Sequence, residues 1–235
     1  MIVAGVDGCK DGWFVVLWDL AKGSVDGRVV QVFTDLLVLP ERPRVIAIDI
    51  PIGLLAAARH GGRECDAAAR GLLLWPRRNS VFTPPVRTAL AADDYRAACA
   101  VNAASSAARI QLSKQCHGLF SKLREVDAAM RAEQQAMVFE VHPELSFYEM
   151  AGGVPAMHGK KDKAGFDERI RRLGAAGFPG PVSLSLWRPG GVTLDDVLDA
   201  CAACWTARRI VDGTAVRIPA DPPADDRGLR MEMWR

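Results

Sequence analysis

Several things are scarce in this sequence, and each scarcity closes off a class of protein. No apolar run approaches the roughly 20 residues that a membrane-spanning helix needs. The opening Met1-Ile2-Val3 carries neither a charged leader nor a cleavage site, so a secretory signal is not expected. The six cysteines (Cys9, Cys65, Cys99, Cys116, Cys201 and Cys204) lack the spacing of a disulfide framework, and a chain of 235 residues is too long to need such staples. A reduced cytoplasm is the expected setting. Cys201 and Cys204 have CxxC spacing but no second pair and no histidine partner, which argues against zinc and for small core residues. Net charge is only +2, which neither demands a polyanionic partner nor excludes a local basic patch. No internal repeat is visible.

What is present begins with two short segments, Ile2-Val3-Ala4-Gly5-Val6-Asp7 and Val45-Ile46-Ala47-Ile48-Asp49. Each is a run of small and β-branched apolar residues ending in a carboxylate, the pattern of a strand buried on both faces. An unpaired carboxylate is costly in a core, so it belongs at the strand's carboxyl end. Two such strands in one sheet place two carboxylates side by side. Oxygen-only ligation suits a hard cation, Mg²⁺ or Mn²⁺, rather than zinc.

Around these strands the chain divides into regions. Gly8 to Gly12 reads as a tight turn, Trp13 to Leu20 and Arg28 to Phe33 as strands, and Asp35 to Leu39 as a short helix. A three-strand meander followed by a strand returning beside the first makes a mixed sheet. Pro51 to Ala136 is rich in alanine and arginine and mostly helical, over Arg63 to Leu74, Asp93 to Ser106 and Ser113 to Gln135. Strand character resumes at Met137 to Val141, so the helical middle, about residues 54–136, reads as an insertion into an α/β core. Beyond it come a Gly- and Lys-rich loop over Gly152 to Lys163, a charged helix over Phe166 to Leu173, and a loop over Pro179 to Gly191. A strong helix over Leu194 to Val211, a last strand over Thr214 to Ile218 and a tail over Pro219 to Gly228 complete the chain.

The carboxylate set grows with the later segments. Glu140 ends the Val138-Phe139 strand, and Asp195, Asp196 and Asp199 open the last helix, with Asp196 and Asp199 on one face. Helix capping explains Asp195 better than Asp199. Carboxylates gathered from distant segments would hold one or two divalent ions, roughly 3.5–4 Å apart in two-metal phosphoryl-transfer sites. His142 lies two residues from Glu140, so on a strand both face one way, His142 as ligand or proton shuttle or as a capped core histidine. Arg59, Arg63, Arg70, Arg77, Arg78 and Arg87 surround a Trp75-Pro76 turn and suit phosphate, while Trp75 or Phe82 offers a stacking surface. Lys160, Lys161 and Lys163 fit a flexible, solvated loop better than a site.

Gly5-Val6-Asp7-Gly8-Cys9 with Gly12-Trp13, Ile48-Asp49-Ile50-Pro51-Ile52-Gly53, Arg63-Glu64-Cys65-Asp66, Ser80-Val81-Phe82, Phe139-Glu140-Val141-His142-Pro143-Glu144 and Asp199-Ala200 together resemble domain of unknown function 429. This is a family of predicted RNase H-like nucleases. Where the family usually has Gly-Gly-Trp, this chain has Asp11-Gly12-Trp13. The resemblance implies a single α/β domain over residues 1–235: an RNase H-like mixed five-stranded sheet flanked by helices. It implies metal and catalytic positions at Asp7, Asp49, Glu140, Asp196 and Asp199. Arg63, Arg70, Arg78, Ser80, Phe82, His142 and Lys161 are the expected substrate-binding residues. The expected activity is divalent-metal-dependent hydrolysis of phosphodiesters in nucleic acid, DNA or RNA. A non-catalytic binding module is the alternative. An ATP-binding protein of the sugar-kinase and actin type fits less well, because 235 residues without a repeat leave no room for its two domains.

Overall fold

The computed structural model describes residues 1–180 and 189–235; part of the loop expected over Pro179 to Gly191 therefore lies outside the described residues. A five-stranded sheet forms the centre, in the order β3-β2-β1-β4-β5. Strands β1 (Ile2–Cys9), β2 (Gly12–Asp19) and β3 (Ser24–Val30) make the antiparallel meander. After the short helix α1 (Phe33–Leu36), strand β4 (Val45–Ile48) returns parallel to β1, and β5 (Val138–Glu140) lies parallel to β4. This is an α/β fold of the expected RNase H-like kind.

The two faces are covered by different parts of the chain. On one, α8 (Leu194–Val211) crosses β1, and Val3, Val16, Val45 and Ala47 pack against Ala200, Cys201, Ala203 and Cys204. The approach is close enough that a Cβ on Gly5 would overlap the Ala200 carbonyl oxygen and the Cys204 amide nitrogen. Only glycine opposite small helix residues fits there. The CxxC pair is thus a packing seam, with both thiols buried.

On the other face the segment between β4 and β5 supplies the layer. It contains α2 (Glu64–Leu73), α3 (Tyr95–Ala104), α4 (Lys114–Gly118) and α5 (Phe120–Ala129). Phe120, Leu123, Val126 and Val86 pack there against Val6, Ile46, Ile48 and Val138. Each such side chain contributes about 1.5–3 kcal/mol when fully buried. Helices α3, α4 and α5 are therefore continuous with the sheet's own core, whereas α2 packs against Leu145, Ile218 and Met233.

Three local expectations need correction. The run Ser113 to Gln135 is not one helix, because it breaks between Gly118 and Phe120, where Leu119 leaves helical geometry, and ends in a 3-10 turn over Ala132–Ala136. Strand β5 stops at Glu140, so His142 does not sit on a strand with it; the chain turns there into α6 (Pro143–Met150), with proline in the first turn where its missing N–H is harmless. The segment expected as a tail is fixed in place. Asp225 accepts from the amides of Leu54 (3.1 Å) and Leu229 (2.9 Å), and a small antiparallel pair joins Arg217–Ile218 to Met233–Trp234. Among the described residues, no helix is long and apolar enough to cross a membrane.

Candidate active site

The site follows from strand register. Val6 pairs with Ile48 on neighbouring parallel strands, so Asp7 and Asp49 emerge side by side at their carboxyl ends, with the Asp49 amide donating to the Val6 carbonyl at 3.0 Å. Adjacent strands lie about 4.8 Å apart, so the two carboxylates are near neighbours. Side chains alternate along a strand, and Asp7 shares its face with Val3 and Gly5, as Asp49 does with Val45 and Ala47. That is the α8 face, where Asp199, only 3% exposed, meets them from the helix. Asp7, Asp49, Asp196 and Asp199 line one pocket of about 300 Å³, together with Ser80, Phe82 and His142.

Like charges crowded in a poorly hydrated pocket disfavour ionisation. Burial, reinforced by Asp49 and Asp199, holds the Asp7 carboxyl well above the usual carboxylate range. Burial likewise pushes Asp49 up to about 6, with Asp199 adding to the rise and Lys160 opposing it. Lys160 is the cation ion-paired with this cluster. Lys160 Nζ lies 2.6 Å from Asp199 Oδ2, and its charge acts on Asp7 and Asp49 as well. A further sign of unmet demand is Glu144 at the pocket wall. It is 5% exposed; one oxygen pairs with Arg169, while Oε2 has no hydrogen-bond partner.

Lys160 is not on a loose loop. The Glu168 carboxylate accepts from the amides of Met157 and His158 at 3.1–3.2 Å. The fully buried Arg169 donates to the carbonyls of His158 (3.2 Å) and Gly165 (3.0 Å), and Arg172 to those of Val154 (2.7 Å) and Pro155 (3.2 Å). All three side chains belong to α7 (Lys163–Ala175). At Gly165 a Cβ would overlap the Gly159 carbonyl oxygen, so loop and helix touch backbone to backbone.

Other expected site residues take different places. Glu140 shares a sheet face with Val138, opposite to Asp7 and Asp49, and is absent from the pocket. It binds Arg63 through both oxygens, at 2.6 and 2.8 Å, and accepts the Ile52 amide at 2.6 Å. Arg63 also pairs with Asp66 at 2.7 Å and is buried with it. Among the described residues, Cys65, Asp66 and Glu140 form the one trio whose donor atoms fall within 4.8 Å of one another. Its carboxylates are already served by the guanidinium, which argues against a metal there.

Arg63 therefore acts as a clamp, and through the Ile52 and Gly53 carbonyls (3.1 and 3.3 Å) it fixes the chain that follows Asp49. Arg70 holds the Val81 carbonyl at 2.8 Å and so positions Phe82 from behind. Arg78 is exposed and outside the pocket, and Lys161 lines a separate shallow hollow beside α7. Asp196 accepts the Thr193 amide at 2.8 Å, closing a capping box that occupies one of its oxygens.

Glu140 and His142 do not share a face, because β5 ends between them and His142 caps α6. Its Nδ1 accepts the Glu144 amide at 3.2 Å. A neutral imidazole with that acceptor carries its proton on Nε2, which makes it a donor towards the pocket rather than a metal ligand. The pocket also includes Arg77, Lys122 and Glu144, which sequence reasoning left outside the site. Arg77 belonged to the arginine cluster already noted, whereas Lys122 carried no local signal. Its Nζ lies 4.5 Å over the Trp13 ring and donates to the Gly12 carbonyl.

Over residues 5–224 the chain matches the family described as protein of unknown function (DUF429), and it belongs to that family. No curated protein matches it, and neither does any solved structure.

Proposed function

We propose that this member of the family is a divalent-cation-dependent hydrolase of phosphoester bonds in nucleic acid. The observation that carries the reading is the pair Asp7 and Asp49 at adjacent strand ends, facing Asp199 across one pocket. The donor set is all oxygen, which fits Mg²⁺ or Mn²⁺. The raised Asp7 and Asp49 carboxyls and the unpartnered Glu144 oxygen supply the electrostatic demand for such an ion. Asp7 and Asp49 would hold it, with Asp199 facing them across the pocket. When bound, it would polarise a phosphate oxygen and the attacking water.

The rest of the work falls to the protein's own groups. His142 Nε2–H donates to a phosphate oxygen, Lys122 and Arg77 add positive charge, and Phe82 offers a face for a base. The water oxygen bonds to phosphorus as the ester P–O bond breaks. The proton that the water loses is matched, through solvent, by the one the leaving oxygen gains.

The test is Mn²⁺-dependent cleavage of labelled single strands, duplexes, RNA–DNA hybrids and four-way junctions, run beside Asp7→Asn. Cleavage that falls at least about a hundredfold in the variant supports the reading, since groups that stabilise charge in desolvated sites act on that scale. Undiminished cleavage by Asp7→Asn would overturn it. One observation favours a non-catalytic binding module instead, namely that Lys160 already neutralises Asp199. Absence of any divalent-dependent stabilisation would select that alternative.

A further inference from the structure

The reading above leaves open how many cations the site takes, and the placement of Lys160 bears on that number. Asp7, Asp49 and Asp199 line one pocket, yet their oxygens do not close into a trio within 4.8 Å. The set divides into two parts. Asp7 and Asp49 are joined by strand register, whereas Asp199 is paired at 2.6 Å with Lys160. With Asp199 paired to Lys160, Asp7 and Asp49 are the two carboxylates of the three that have no ion pair, and together they match one divalent cation.

The other charged groups lining the pocket have partners of their own, Arg77 donating to the His158 carbonyl at 3.2 Å. Asp196 is engaged by Thr193, Glu144 is paired with Arg169, and Lys122 is engaged with Gly12. Asp195, also at the start of α8, is absent from the pocket. The Lys160 ammonium is also held by construction, because Glu168, Arg169 and Arg172 fasten the loop that carries it and Gly165 seats that loop on α7.

We propose that Lys160 stands permanently in one of the two cation positions of this site, so that the protein binds one divalent ion, at Asp7 and Asp49, and uses the lysine in place of a second. This rests on the metal-dependent reading given above. In this arrangement Lys160, anchored by Asp199, meets the phosphate oxygen that a second ion would otherwise meet. An ammonium is a compact, strongly hydrated point charge with three donors, suited to that exchange.

The experiment is Mn²⁺ stoichiometry by calorimetry and by electron paramagnetic resonance on the full chain, without substrate. One ion per chain is expected for the wild type, one for Asp199→Asn, and none for Asp7→Asn at the same concentrations. Lys160→Met frees Asp199 and is expected to take up a second ion, while Lys160→Arg keeps the count at one. Inorganic phosphate binding to the Mn²⁺-loaded protein should weaken at least about tenfold in Lys160→Met and recover in Lys160→Arg. Two ions in the wild type, or an unchanged count in Lys160→Met, would overturn the lysine's role while leaving the metal reading intact. No Mn²⁺ bound by the wild type would remove both.

Discussion

Two carboxylate clusters lie at the ends of neighbouring strands, on opposite faces of the sheet, and they differ in almost everything else. Glu140 and Asp66 surround Arg63, and their strong hydrogen bonds are made within the protein. Asp7, Asp49 and Asp199 have one ion pair among them, Asp199 with Lys160, and open into a pocket. Judged by proximity alone, the first cluster is the better metal site, because its atoms lie closer together. Judged by charge, it is closed and the second is open. Buried carboxylates that already have a guanidinium act as structure, whereas those still short of positive charge are free to act on a ligand.

The contrast can be broken most forcefully at Arg63. Arg63→Met leaves Glu140 and Asp66 buried without their cation, and urea denaturation is expected to show a loss of about 3–5 kcal/mol. A loss below about 1 kcal/mol would mean that the closed cluster is not held by that charge.

The open cluster should respond in the opposite direction. Folded Asp49 titrates near 6, above its unfolded value, so between roughly pH 4 and 6 the folded state keeps a proton that the unfolded chain has released. Stability contributed by that proton is present at low pH and is lost as pH rises through 6. Asp49→Asn is therefore expected to exceed the wild type by about 3 kcal/mol at pH 7 without divalent ions, and to match it below pH 4. Saturating Mn²⁺ should narrow the gap at pH 7. A variant less stable than wild type at neutral pH would show that Asp49 is satisfied as it stands.

The smallest effect separates cap from site at His142. His142→Ala removes the α6 cap and is expected to cost about 1 kcal/mol, while His142→Asn keeps a capping acceptor and stays within a few tenths. Both variants lack the Nε2–H donor, so cleavage should fall in both. Wild-type cleavage by His142→Asn would confine the residue to capping.

How far these differences were legible in the sequence varies residue by residue. Asp7 and Asp49 were legible as a pair, because two apolar runs that each stop at a carboxylate point to one sheet edge, although either residue alone could simply start a turn. The meander and the strand returning beside β1 followed from the same runs and their turn residues. Glu140 carries the same local signal, and its face is settled only by the pairing of Ile48 with Glu140, a register fixed by contacts across more than 80 residues of intervening chain. Lys160 could not be told from Lys161 or Lys163, since the hydrogen bonds that choose among them come from Glu168, Arg169 and Arg172 on the following helix. The α6 helix was hidden because five of its eight residues are buried, which erases the polar face that marks an amphipathic helix.

The seam between Gly5 and α8 also divides the molecule's tolerance to change. Backbone meets backbone there, so the spacing of Asp7 from Asp199 is set by the thickness of the chain itself rather than by any side chain. Substitutions among Phe120, Leu123 and Val126 on the far face can be absorbed by repacking when volume is conserved. At Gly5, Ala200 and Cys204 there is no side-chain volume left to trade. Sequence drift is thereby directed to the helical face, while the gauge between the acidic residues stays fixed.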